Sequence, residues 1–306
     1  MKRIQNRIAE SRFSLLGTAV YAFAVGLTDW LISDRVNVGL AFLVISTYLM
    51  LGMNNRNALI RIYSRMVSCS FLVLAMLAAA TYGSIDEWIV QLCFILTYLA
   101  LFSAYQDKRA QGTMFYAFMF IGIASLVFVQ ALFFVPVLWV LIATNLMAFS
   151  NRNFWASLIG LTLPYWFYGC YCAITGNIDY IVCHFAPYVW VHPLWQYECI
   201  SLTQAVNTGF IILVTLIGSV HFLRTSYKDK IRTRMIYEMI ITMSLLILVF
   251  MAFQPKFISQ LTAVLTINAS ILIAHFFALT STRVTNIAFY VLTLTAVGLT
   301  VFNLLV

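Results

Sequence analysis

The chain has 306 residues, 63% hydrophobic and 9% charged, with a formal net charge of +8. An ordinary soluble domain carries roughly 25% charged residues, so a water-exposed globule is excluded as the main body of the protein. The basic surplus does not mark a nucleic-acid binder, because Lys and Arg sit in short loops between apolar runs instead of gathering on one face with stacking aromatics.

A hydrocarbon core about 30 Å thick needs roughly 20 helical residues. Dividing the chain where charge or turn residues interrupt the apolar pattern predicts eleven spans. They lie at 13–32, 36–53, 66–82, 88–105, 114–130, 133–149, 154–175, 201–223, 236–253, 257–279 and 285–304. The fold class is therefore all-α, a polytopic transmembrane helical bundle of about eleven spans, with residues 1–306 forming a single integral membrane domain. At the start, Ala22-Phe23-Ala24 resembles a signal cleavage site after a basic segment, but the apolar run continues to Ile32, which favours an uncleaved anchor. From Met114 to Phe149 the chain carries no charge. At 1.5 Å per residue that stretch would reach roughly 54 Å, too long for one span. Gln130 and Pro136 punctuate it, which predicts a tight hairpin of two full spans or a re-entrant pair. Pro164 interrupts the seventh span without a counterpart at a corresponding position, so the matching broken helices of an inverted-repeat transporter are not read.

Basic residues near spans are retained on the cytoplasmic side. With the amino terminus in the cytoplasm, sixteen of the eighteen Lys and Arg fall in inner loops, Arg35 and Lys256 being the two outside. The carboxyl terminus is then outside, and 224–234 is a basic cytoplasmic loop. Six of the ten acids, Asp29, Asp34, Asp86, Glu87, Asp179 and Glu198, lie at the outer face.

No ionisable group is placed at mid-depth, where its insertion would cost roughly 2.5 to 3.5 kcal/mol. Asn268 and Asn145 are expected as interhelical hydrogen-bonding residues, and His221 and His275 as snorkelling or capping groups at inner helix ends. Asp29, Asp34, Asp86 and Glu87 come from the first two outer loops and are the candidate catalytic carboxylates, since converging acids can serve as a general base at a membrane surface. The segment 176–200 is dense in aromatics, which suits a piece of chain lying in the interface. Within it Asp179, His184, Trp190, His192, Trp195 and Glu198 are the candidate substrate contacts. Cys183 and Cys199 would close that segment if bridged. The six cysteines form no CxxC pair and no alternating Cys/His spacing, so no metal site is read, and no cofactor is expected.

The stretch from Asp86 and Glu87 through FIGIASLVFVQALFFVPVLWVLIATNLMAFSNRNFWASLIG to LTLPYW around Pro164 resembles an uncharacterised multi-pass bacterial inner-membrane protein family. The hairpin pattern, the span number and the inward amino terminus are also similar to those of membrane glycosyltransferases that use polyprenyl-phosphate-linked sugars. That resemblance implies a catalytic acid in the first outer loop, for which Asp29 or Asp34 is the match. The leading expectation is a non-catalytic subunit or scaffold of a cell-envelope complex in the bacterial inner membrane. Its expected partners are membrane lipid and envelope proteins. The alternatives are a glycosyltransferase-like enzyme acting on a lipid-linked substrate at the outer face, and a transporter or flippase.

Overall fold

The computed structural model describes residues 3–33, 38–177, 179–189 and 197–305, without the side chains of 29–33, 182, 187–189 and 199. No strand occurs among the described residues. Each predicted span coincides with a helix: α2 Ser14–Ser33, α3 Val38–Asn57, α4 Met66–Ala79, α5 Asp86–Ser103, α6 Gln111–Val127, α7 Phe134–Thr144, α8 Asn151–Ile174, α10 Leu202–Thr225, α11 Ile231–Phe253, α12 Ile258–Leu279 and α13 Arg283–Leu305. Two short helices, α1 Ile4–Glu10 and α9 Asp179–Val189, complete the set. Among the described residues six helices, α3, α5, α10, α11, α12 and α13, are long and apolar enough to cross a membrane, and the protein is accordingly membrane-embedded.

The shorter elements refine the expected spans. The hairpin over 114–149 is present, but its second arm is a 3-10 turn, Val129–Phe133, followed by α7 of 11 residues. At 1.5 Å per residue α7 is roughly 16 Å long, about half the hydrocarbon thickness. Pro136 sits in its first turn, where its missing N–H costs no intrahelical bond. The basic loop expected over 224–234 is mostly helical: α10 runs to Thr225, a 3-10 turn covers Ser226–Lys228, and α11 starts at Ile231.

By its contacts the chain divides into two compact units, Met1–Trp88 with Tyr197–Val306, and Ile89–Gln196. In the first unit α12 is the central helix, buried continuously from Leu261 to Ala278. Its neighbours approach closely because small residues stand at the crossings, the usual basis of helix association in lipid. A Cβ added to Gly218 of α10 would lie 2.7 Å from Leu272 C and 3.0 Å from Ile273 N, which is α12 backbone. Thr208 and Thr262 hydroxyls meet at 3.0 Å across the same pair of helices. Within α12, Thr266 and Ser270 return their hydroxyls to the Thr262 and Ile267 carbonyls. The expected interhelical role of Asn268 is not observed: it is fully buried, and neither amide atom bonds to a described residue. The interhelical Asn contact falls instead on Asn207 and Asn303, whose amides are 3.3 Å apart between α10 and α13.

Hydrogen bonds between helix ends show how charge is sorted in this unit. Gln5 Nε2 donates to the Phe277 carbonyl and to Thr280 Oγ1, and its backbone N–H to Asn286 Oδ1. Ser64 Oγ donates to the Ala9 carbonyl, Arg232 Nη2 to Asn57 Oδ1, and Arg61 Nη1 to the Lys228 carbonyl. These bonds gather α1, the ends of α3, α10 and α12 and the starts of α4, α11 and α13 at one end of the unit. Arg7, Arg12, Arg56, Arg61, Arg65, Arg224, Lys228, Lys230, Arg232, Arg234 and Arg283 all belong to those termini. Asp86, Glu87, Glu198 and Lys256 belong to the opposite termini, while Glu10, Asp229 and Glu238 lie at the cation-bearing end.

In the second unit α6 and α8 cross at Gly122 and Gly160. A Cβ on Gly122 would lie 2.7 Å from the Leu161 carbonyl oxygen, and one on Gly160 would overlap the Phe115 carbonyl. Pro164 lies inside α8 and packs on Gly122, so the proline in the seventh span faces a close helix contact. Trp139 Nε1 donates to Ser157 Oγ at 3.0 Å, tying α7 to α8. Ser150 Oγ donates to the Lys108 carbonyl, and Gln106 N–H to the Leu146 carbonyl, so Lys108, Arg109 and Arg152 also share one end.

Candidate functional site

The four candidate catalytic acids differ in their surroundings. Asp34 and the side chain of Asp29 lie outside the described residues. Asp86 is exposed at the first turn of α5. Glu87, expected as an outer-face carboxylate, is 3% exposed and already engaged. Its Oε2 accepts from Ser84 N–H at 3.1 Å and Ser84 Oγ at 2.9 Å, and its Oε1 accepts from Gln260 Nε2 at 3.3 Å. A carboxylate in the first turn also favours the positive end of the helix dipole. Beside it Ser259 Oγ donates to the Thr81 carbonyl at 2.9 Å, and Gln204 Nε2 reaches Ser259 Oγ at 3.4 Å. Glu87 therefore joins the start of α5 to α12. Glu87→Ala is expected to cost about 1 to 2 kcal/mol of stability, as for a lost helix cap, whereas Asp86→Ala should stay within about 0.5 kcal/mol as an exposed substitution. Thermal unfolding of the two purified variants checks the contrast.

Of the aromatic segment, Trp190, His192 and Trp195 lie outside the described residues. Asp179 is exposed at the first turn of α9. His184 is half-buried, its ring 5.9 Å from Tyr165, 5.6 Å from Tyr168 and 5.2 Å from Phe185. Burial pushes its imidazole below the ordinary histidine value, against a backbone hydrogen bond at Ser125 that works the other way. Tyr165 Oη donates to Ser125 Oγ at 2.8 Å in the same cluster. Glu198 is exposed in a 3-10 turn, Tyr197–Cys199, which Tyr197 fixes by donating to the Ala252 carbonyl at 2.8 Å. Cys183 is a free, exposed thiol. Among the described residues no group of three or more His, Cys, Asp or Glu is arranged to hold a metal.

Two features of the first unit were not singled out by the sequence. One is a buried ion-pair geometry at the cation-bearing end. His275 Nε2 lies 3.0 Å from Asp229 Oδ2, with side-chain exposures of 1% and 3%. With Asp229 as a carboxylate, which only accepts, Nε2 is the donor of this contact. The snorkelling or capping role expected for His275 gives way to this enclosed contact. Phe222, Tyr237 and His221 surround the imidazole at ring distances of 5.2, 5.0 and 5.7 Å. Phe222 and Tyr237 stack on each other at 4.5 Å. Enclosed on these sides, the pair anchors the turn between α10 and α11 to the end of α12. The sequence places His221, His275 and Asp229 on one side of the membrane, the local signal for this contact.

The other is an apolar cavity of about 340 Å³ enclosed by α1, α2, α4, α10, α12 and α13. Val214, Ile273 and Phe277 are among its buried apolar lining residues, and Ser14, Thr18, Ser70 and Thr293 contribute polar atoms to its wall. Ile8, Tyr290 and Leu294 line it and are themselves exposed, so the cavity reaches the surface of the unit beside α13. Pockets of 300–1,000 Å³ with mostly apolar walls and a few polar groups are the usual form of small-molecule sites. No protein family, curated protein or solved structure matches the chain.

Proposed function

We propose that the protein is a non-catalytic, lipid-holding subunit of the cell envelope. It sits in the bacterial inner membrane with its amino terminus in the cytoplasm, all eleven apolar helices serving as spans or part-spans. The observation that carries this reading is the apolar cavity behind α13. In a bilayer the molecule at hand to fill such a space is a phospholipid, whose hydrocarbon chain replaces contacts that the surrounding side chains otherwise lack. The engagement of Glu87 in capping α5 supports a structural role for the outer end over a catalytic one. Gathering of Lys and Arg at one end of the first unit supports the orientation.

Lipid analysis tests it. Wild-type protein purified in mild detergent and washed free of bulk lipid is expected to retain a phospholipid on organic extraction and mass spectrometry. Ser70→Phe, which fills the cavity from α4, and Thr293→Phe, which fills it from α13, are expected to lose it. Equal lipid content in wild type and both variants overturns the proposal.

A further inference from the structure

We infer that the cavity selects an anionic phospholipid, its phosphate-bearing headgroup held by Arg7, Arg12 and Arg65 and one hydrocarbon chain inserted between α2, α4 and α13. The inference deepens the lipid-holding reading and rests on it. Each of the three arginines adjoins a stretch that lines the cavity: Arg7 precedes Ile8 on α1, Arg12 stands just before Ser14 at the start of α2, and Arg65 precedes Met66 at the start of α4. Arg65 Nη1 donates to the Arg12 backbone carbonyl at 3.3 Å, which brings the Arg65 guanidinium to the chain just before α2. Arg7 and Arg12 are exposed and Arg65 is half-exposed. Glu10 is the acid among residues 3–12, and Arg3, Arg7 and Arg12 outnumber it there. The walls past Ser14 and Thr18 turn apolar at Val73, Leu74, Phe210 and Val214. One end of the cavity thus borders positive charge and its depth is hydrocarbon, the polarity of a lipid entering from the leaflet on the cation-bearing side.

Basic residues near an anionic lipid surface contribute about 1 kcal/mol each, which corresponds to roughly a fivefold preference per arginine. The fork of N–H donors on Arg suits phosphate oxygens, which a zwitterionic lipid also offers. The discriminating element is therefore net headgroup charge, not the phosphate itself.

The test uses delipidated full-length protein in detergent with equimolar dioleoyl-phosphatidylglycerol and dioleoyl-phosphatidylcholine, read by native mass spectrometry. The wild type is expected to hold phosphatidylglycerol in preference, by roughly fivefold or more at low salt. The preference should shrink at 1 M salt, where the screening length falls to about 3 Å. Arg7→Gln, Arg12→Gln and Arg65→Gln together are expected to bring the two lipids to comparable occupancy, and exposed Arg7→Gln alone to lower the preference partway. Equal occupancy of both lipids in the wild type, with both lost in Ser70→Phe, overturns the headgroup inference and leaves the cavity reading standing. A phosphatidylglycerol adduct that persists unchanged in Ser70→Phe and Thr293→Phe places the lipid elsewhere and overturns both.

Discussion

His275→Ala is expected to destabilise the protein by about 3–5 kcal/mol, because it strands the Asp229 carboxylate, 3% exposed, without its partner. The cost comes from the charge left behind in a poorly solvated place and not from the contact itself. Asp229→Ala should therefore be costly as well, since it strips the Nε2 donor of its acceptor while His275 stays enclosed by Phe222, Tyr237 and His221. Removing both groups together, as His275→Leu with Asp229→Ala, should recover much of the loss, because replacing a buried pair by apolar groups is often close to neutral. A double-mutant cycle on thermal or denaturant unfolding measures the coupling. Single variants within about 0.5 kcal/mol of the wild type would mean that the turn between α10 and α11 is held by something other than this pair.

A second large effect is expected at Gly218. Gly218→Leu drives a side chain into the backbone of α12 at Leu272 and Ile273, and backbone in a continuously buried helix has no room to yield. Overpacking of this kind costs about 1–3 kcal/mol and occasionally more. The upper end applies because the obstacle is main chain and not the tip of a flexible side chain. Gly209, on the same helix with nothing within 4 Å of an added Cβ, is the control. Gly209→Leu should leave stability within about 0.5 kcal/mol. Val214, between them on α10, lines the cavity, so Gly218→Leu is also expected to lower lipid retention, and Gly209→Leu to preserve it.

The pattern of apolar runs predicts the helices well because in lipid every backbone polar group must be satisfied within its own segment. An uninterrupted apolar stretch in a membrane therefore has few alternatives to a helix, and each of the eleven segments became one. Their ends were less legible. α11 begins at Ile231, five residues before the expected start, because Arg232 and Arg234 were counted as loop. Within a helix Arg232 extends its guanidinium to Asn57 at 2.9 Å, and charge at a helix end does not stop the backbone from coiling. The second hairpin arm was overestimated at its far end: apolar residues continue to Phe149, whereas α7 stops at Thr144 with Asn145 as its C-cap.

Functional detail was harder to read, for different reasons. Glu87 is visible in the sequence as an acid, and the spacing Ser84-x-x-Glu87 is the signature of a capping box, a local signal of its structural engagement. The pairing of His275 with Asp229 joins residues 46 apart and depends on how α10, α11 and α12 meet. The cavity has no sequence signal at all. Ser70 and Thr293 look like any hydroxyl residues on apolar helices, and which helix faces leave space between them is decided by packing alone.

Lipid entry from the arginine-bearing side requires that this end of the first unit face the cytoplasm. The direct measurement is labelling by a membrane-impermeant thiol reagent in intact cells, using single-cysteine variants at Lys228 and Lys256 in a background whose native cysteines are replaced by alanine. Lys256→Cys should react in intact cells, and Lys228→Cys only after the membrane is opened. Reaction at Lys228→Cys from outside, with Lys256→Cys protected, would contradict the orientation and the lipid site built on it.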